Sequence, residues 1–304
     1  MAAARRYAIA SYEPTGLSRI LFTRPVVGSL IATAVAALFA IFMYASHGPQ
    51  DTASLALFTF VPEGLIHWTG VAVMVALALS GVVGITGMAR GVARSEGVSL
   101  PTLLGGRAAL SRTAAALWAS LGIESLGQRR YRQDCKDDSP AEPLYRRRWL
   151  IHALTIWGFL GLFSATILDW GLALAGVKET GTPIPLWYPS RLIGTLAGFS
   201  LLYGVSMFMV NRVRQVNRAA MVSTASDWLL LVLLWITGAT GLFIEVALYV
   251  SDAPRWGYWV FLFHVAVAME LMLLLPFTKF AHAMYRPVAL FFYALAADKS
   301  KQTV

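Results

Sequence analysis

Six apolar stretches, each near the length that crosses a bilayer, constrain this chain more than any other feature. They fall at roughly 26–46, 65–88, 150–175, 190–211, 227–249 and 256–278, and a helix needs about 20 residues to cross the hydrocarbon layer. In lipid, backbone amides must find partners within their own segment, so each stretch reads as a helix. A β-barrel would show short alternating segments instead. With 57% hydrophobic and 13% charged residues, the chain has more apolar surface than an ordinary soluble core can hide. The predicted fold is all-α: a polytopic membrane helix bundle with six transmembrane helices.

The net charge of +9 could serve nucleic acid, but the placement of the cations speaks for topology. Arg5, Arg6, Arg19 and Arg24 precede the first span, and Arg90 to Arg148 crowd the connection between spans two and three. Arg212, Arg214 and Arg218 follow span four; Lys279, Arg286, Lys299 and Lys301 follow span six. The alternate connections hold only Lys178 and Arg255. This positive-inside pattern predicts both termini in the cytoplasm and a multi-pass protein of the cell inner membrane. No nucleic-acid partner is expected.

Residues 1–147 divide into a basic N-terminal arm, a two-helix membrane hairpin and a cytoplasmic loop; 148–304 reads as a four-helix core with a short C-terminal tail. Within the loop, Leu110, Leu117, Leu121 and Leu126 recur at helical spacing among arginines over 107–133, which predicts an amphipathic helix on the membrane surface. The single cysteine, Cys135, excludes an internal disulfide and cannot hold an iron–sulfur cluster alone. With no C-x-x-C-H, covalent c-type haem is excluded too.

The five histidines sort by depth. His264 and His282 stand eighteen positions apart in Trp256–Pro287; on a continuous helix both lie on one face, about 27 Å apart at ~1.5 Å per residue. His152 sits at the cytoplasmic edge of span three, level with His282. His67 lies just inside the outer end of span two, and His47 at the outer end of span one. Two layers follow: His152 with His282 on the cytoplasmic side, and His264 with His67, or alternatively His47, on the outer side. Each layer offers two neutral imidazoles to one iron, the donor set of a six-coordinate b-type haem. For His47 the plainer expectation is a residue at headgroup level.

The segment P-F-T-K-F-A-H-A-M-Y-R-P (Pro276–Pro287), with His264 upstream, and the block R-R-R-W-L-I-H-A-L-T-I-W-G-F-L-G-L-F-S-A-T (Arg146–Thr166) resemble the membrane diheme cytochrome b family. That family includes the respiratory nitrate reductase gamma subunit and the heterodisulfide reductase membrane subunit. The resemblance covers roughly 143–290 and implies haem b, one or two groups, at His152, His282 and His264; the outer haem either recruits His67 from span two or is missing, with His264 then a vestige or a proton-handling group. It further implies a quinone substrate and a cytoplasmic iron–sulfur subunit as partner, the chain being the quinone-reactive subunit of an oxidoreductase. One departure stands out: where the nitrate-reductase branch has a second histidine ten positions on from His152, this chain has Leu162.

Glu270, near the middle of span six, is costly as a charge at that depth, at least ~2.5 kcal/mol on insertion scales. It reads as a proton acceptor beside the quinone, or as a structural hydrogen-bonding group. Gly158, Gly161, Gly194, Gly198, Gly238 and Gly241 provide flat surfaces for close helix approach. The reading is electron transfer between the quinone pool and a soluble partner. Its rivals are a transporter or proton relay through His264, Glu270 and His67 without haem, and a cofactor-free membrane anchor.

Overall fold

The computed structural model describes residues 2–98, 105–134, 142–178, 185–216, 218–221, 223–250 and 253–302. Cys135 lies outside them. The helices in chain order are α1 (Ala2–Tyr12), α2 (Leu17–Thr23), α3 (Pro25–Ala45), α4 (Leu57–Phe60), α5 (Glu63–Ser95) and α6 (Arg107–Leu117). A π-helical stretch, Trp118–Leu126, follows, then α7 (Arg129–Asp134), α8 (Arg148–Leu174), α9 (Pro189–Val213), α10 (Arg218–Met221), α11 (Ala225–Tyr249), α12 (Arg255–Leu274) and α13 (His282–Gln302). Among the described residues there is no strand. Six segments are long and apolar enough to cross a membrane: Pro25–Ala45, Glu63–Ser95, Arg148–Leu174, Pro189–Val213, Ala225–Tyr249 and Arg255–Phe277. The protein is an all-α, multi-pass membrane bundle.

The most buried span is α12, which packs against α3, α5 and α11; α9 lies on α11, and α8 lies on α9. Lipid tails are as apolar as leucine, so helix association here depends on close packing rather than on the hydrophobic effect. Glycine permits that approach between α8 and α9. A Cβ at Gly158 would stand 2.6 Å from the backbone nitrogen of Leu201, so no other residue fits without separating the helices.

The arginine-rich ends of the helices gather at one end of the bundle, the basic end. There α1 and α2 fold onto the core instead of trailing as an arm. Ile9 and Leu21 are buried, and the Glu13 carboxylate accepts from the backbone N–H groups of Thr15 and Ser18. At the far end, the fully buried Tyr258 seals the loop before α4 onto α12. Its hydroxyl meets the Asp51 and Ser54 carbonyls at 3.1 and 3.0 Å and the Ala56 N–H at 3.0 Å.

The closing segment departs from the expected continuous helix. The α-helix stops at Leu274, Leu275–Phe277 forms a 3₁₀ turn, and Thr278 is extended at φ −97°, ψ −176°. A second 3₁₀ turn, Lys279–Ala281, leads into α13. Pro276 lacks an N–H and clashes with the preceding turn. Thr278 then restarts the chain, its hydroxyl accepting from the Phe280 N–H. His264 and His282 therefore sit on two helices, and the single-face geometry does not exist. The expected short tail is also a 21-residue helix, packed on α5 and on the π-helical stretch.

Candidate functional site

The basic end brings His152 and His282 near enough to act electrostatically on each other, and we call this cluster of imidazoles and cations the imidazole chamber. His152, in the first turns of α8, points its Nδ1 at the Gln128 Oε1, 2.9 Å away. His282, at the start of α13, donates Nδ1–H to the Lys279 carbonyl at 2.6 Å. An amide oxygen and a carbonyl both accept, so each Nδ1 carries the proton and each Nε2 keeps its lone pair. The two imidazoles thus offer acceptor nitrogens, able to take a hydrogen bond or a metal ion.

Gln128 reaches His152 by an unusual backbone conformation, φ +53°. The π-helical stretch before it ends at Gly127, and the left-handed turn at Gln128 redirects the chain into α7. On α7, Tyr131 stacks on His152 with ring centroids 4.4 Å apart. The Arg148 guanidinium lies 6.0 Å from the Tyr131 ring centre, and Phe208 closes the other edge of His152 at 6.3 Å.

Cations surround the pair. Arg5, Arg148 and Arg286 act electrostatically on His152, and Arg5, Lys279 and Arg286 on His282. Burial pulls the His282 imidazole down to about 4, with Arg5, Lys279 and Arg286 lowering it further and the Lys279 carbonyl working against them. At neutral pH His282 is uncharged and the positive potential comes from the surrounding guanidinium and ammonium groups.

Beside the chamber, Asp227 gathers Lys279 and two further cations of the basic end. Its carboxylate lies 3.0 Å from Lys279 Nζ, 3.5 Å from Arg212 and 4.0 Å from Arg6, and its side chain is 1% exposed. It also completes a capping box with Thr224 at the start of α11. Lys279 is pushed down by burial and held up by Asp227. Since the Lys279 carbonyl holds His282, this ion network anchors the imidazole.

The other expected site residues are dispersed. His264, on α12, hydrogen-bonds to α11, where its Nδ1 meets the Thr240 Oγ1 at 2.8 Å and the Thr237 carbonyl also accepts from the ring. Thr240 already donates to the Ile236 carbonyl, so its oxygen accepts from His264. Gly241 leaves space for that ring, since a Cβ there would stand 3.3 Å from it. His67, on α5, contacts Trp68 and Trp170 at 5.4 and 5.5 Å between ring centres. Among the described residues, no ring contact or hydrogen bond joins His67 to His264. His47 stacks on Tyr44 at 4.7 Å and is exposed at the far end. Glu270 is 2% exposed, and its carboxyl makes no hydrogen bond or ion pair among the described residues. No group of three or more His, Cys, Asp or Glu with metal-binding geometry occurs among the described residues.

The family described as citrate utilization protein B (CitB) matches residues 19–303. The chain belongs to that family. It is 29% identical over 169 residues to citrate utilization protein B of Escherichia coli, an overlap of 55% of this chain and 42% of the relative. The chain thus spans less than half the length of that curated relative. No solved structure matches it.

This membership overturns the resemblance to the diheme cytochrome b family of nitrate reductase gamma and heterodisulfide reductase membrane subunits. With it go the haem electron-transfer function and the nitrate-reductase and quinone assignments. The closing segment is where the structure departs from the expected ligand helix. His264 and His282 looked like two ligands on one helix, but the break at Pro276–Thr278 separates them. The P-F-T-K-F-A-H run forms that break, a Pro-directed helix end and restart.

Sequence reasoning did not find Gln128, Tyr131 or Asp227. Gln128 and Tyr131 follow an amphipathic run in a basic loop and carry no local mark. Asp227 did leave one: Thr224-x-x-Asp227 immediately before an apolar run is a helix-start signature with a carboxylate.

Proposed function

We propose that this protein is a membrane component of citrate utilisation that binds a citrate-like polycarboxylate at the His152–His282 chamber. The observation that carries the proposal is two imidazoles with proton-bearing Nδ1 and open Nε2, set among Arg5, Arg148, Arg286 and Lys279. Guanidinium groups pair with carboxylates through forked, charge-assisted hydrogen bonds. A neutral imidazole Nε2 accepts from a hydroxyl or a protonated carboxyl. Citrate carries three carboxylates and one hydroxyl, which matches this mixture of cations and acceptors. The family name supports the same substrate class.

The basic end faces the cytoplasm in this proposal, since the cations concentrate in alternate connections, and the membrane is the cell inner membrane. The imidazoles and their cations then stand on the side where citrate is metabolised. Its partners are the bilayer and the small anion; an iron–sulfur subunit and quinone have no part in it.

The test is calorimetric titration of citrate and, separately, acetate into the protein reconstituted in lipid nanodiscs. Citrate binds saturably and acetate does not; Arg286→Gln weakens citrate by about tenfold or more, the scale of one charge-assisted hydrogen bond. Equal citrate affinity in wild type and Arg286→Gln overturns the placement of the site.

A further inference from the structure

The π-helical stretch Trp118–Leu126 has no role in the chamber beyond leading to Gln128. Nine residues of π-helix are unusual, and such segments concentrate at functional sites. With α5 and α13 this stretch encloses an apolar groove of about 400 Å³, walled by Ile85, Ala89, Leu121, Met284, Val288 and Phe291. That volume is in the range of small-ligand sites.

The groove lies at the boundary of the membrane. It opens where α5 leaves its apolar run, since Ala89 precedes Arg90 and Arg94, both exposed. The neighbouring surface segment exposes Leu110, Leu117, Trp118 and Leu126 by 48, 43, 69 and 42%. Large apolar side chains beside arginines on one short segment place it in the headgroup and upper acyl layer. Between residues 85 and 134 the sequence has seven arginines, at 90, 94, 107, 112, 129, 130 and 132, against three acids, Glu96, Glu124 and Asp134. Glu124 takes up Arg129 and Arg130. Arg90, Arg94, Arg107 and Arg112 are exposed, and Arg90 directly follows the groove residue Ala89 in sequence.

We propose that this groove holds one acyl chain of an anionic phospholipid, whose phosphate pairs with the exposed arginines around Arg90 and Arg94. The apolar walls exclude a polar ligand, the depth supplies acyl chains, and the excess of cations selects a negative headgroup. The lipid packs against the π-helical stretch and so steadies the turn that presents Gln128 to His152. This site is separate from the chamber and stands whether or not citrate binds there.

The experiment is native mass spectrometry of the delipidated full chain, titrated with phosphatidylglycerol or with phosphatidylcholine of identical acyl chains. One phosphatidylglycerol is retained per chain, at least tenfold more tightly than phosphatidylcholine. Ala283→Phe, which fills the groove, removes that retention, while Arg90→Gln with Arg94→Gln abolishes the preference between headgroups and leaves an ordinary melting curve. Equal retention of the two lipids by wild type overturns the proposal. So does unchanged phosphatidylglycerol retention in Ala283→Phe. If Ala283→Phe does not fold, the exposed arginine pair decides alone, and an unaltered preference there overturns it.

Discussion

Two carboxylates, one at each end of the bundle, each have a lysine partner, yet they inhabit different physics. Asp227 is 1% exposed and faces Lys279, Arg212 and Arg6. Asp169, at the far end, is 40% exposed in its side chain and takes Lys178 and the Ser190 hydroxyl. The first compensates a buried concentration of positive charge; the second is an ion pair within reach of solvent. The comparison teaches that cations are gathered three around one carboxylate at the basic end, beside the imidazole chamber, whereas the far end holds separate pairs, Lys178–Asp169 and Arg191–Glu245, with aromatic packing and the Tyr258 seal.

The largest effect that breaks or confirms this contrast is at Asp227 itself. Asp227→Asn leaves three cations facing a neutral amide, and removing one partner from a buried ion cluster costs about 3–5 kcal/mol. Asp169→Asn is expected to cost no more than about 1 kcal/mol. Thermal unfolding of both variants in the same nanodiscs measures the difference, and equal shifts would erase the distinction between the two ends.

A smaller effect comes from pH. The folded His282 titrates at about 4, against an ordinary 6.5, so between these values the unfolded chain binds more protons than the folded one. The stability tied to a neutral His282 is complete above the ordinary value and is lost as pH falls toward 4. Melting temperature should therefore decline from pH 7 to pH 4.5, and His282→Gln should flatten that slope. An unchanged slope in the variant would place the acid sensitivity elsewhere.

The smallest effect belongs to the middle of the bundle. Thr240→Val removes one of the two acceptors His264 has on α11, the Thr237 carbonyl remaining, at the cost of at most one hydrogen bond, about 0.5–1.5 kcal/mol. It should leave citrate affinity untouched. A tenfold loss of citrate binding in Thr240→Val would mean that the α11–α12 contact belongs to the working site after all.

The six spans were legible because hydropathy over about 20 residues reports directly on the bilayer requirement, and α3, α5, α8, α9, α11 and α12 coincide with them to within a few residues at most ends. The break after Leu274 was harder to see. Pro276 alone is compatible with a kink, and only Thr278 in the extended conformation turns the kink into an end. α13 lies where a short tail is expected, although Val288, Phe291, Phe292 and Leu295 have helical spacing. The pairing of His152 with His282 came from matching depth, which survives the broken helix because both residues stand at the basic end. His67 and His264 were matched by the same reasoning; in the structure His67 contacts Trp68 and Trp170 and His264 bonds Thr240, since depth fixes a level in the membrane but not a direction around the bundle. Gln128 and Asp227 act across long separations in sequence, and their roles depend on how the basic elements fold together.

The central claim is that the imidazole chamber binds a polycarboxylate. Calorimetric titration of citrate into the nanodisc-embedded protein tests it most directly, with a reduced-minus-oxidised absorption spectrum taken on the same haem-replete preparation. The account predicts one saturable citrate site that weakens at least tenfold in both Arg148→Gln and Arg286→Gln. Absence of saturable citrate binding, together with a b-type absorption band lost in His282→Ala, would contradict it and return the two imidazoles to an iron.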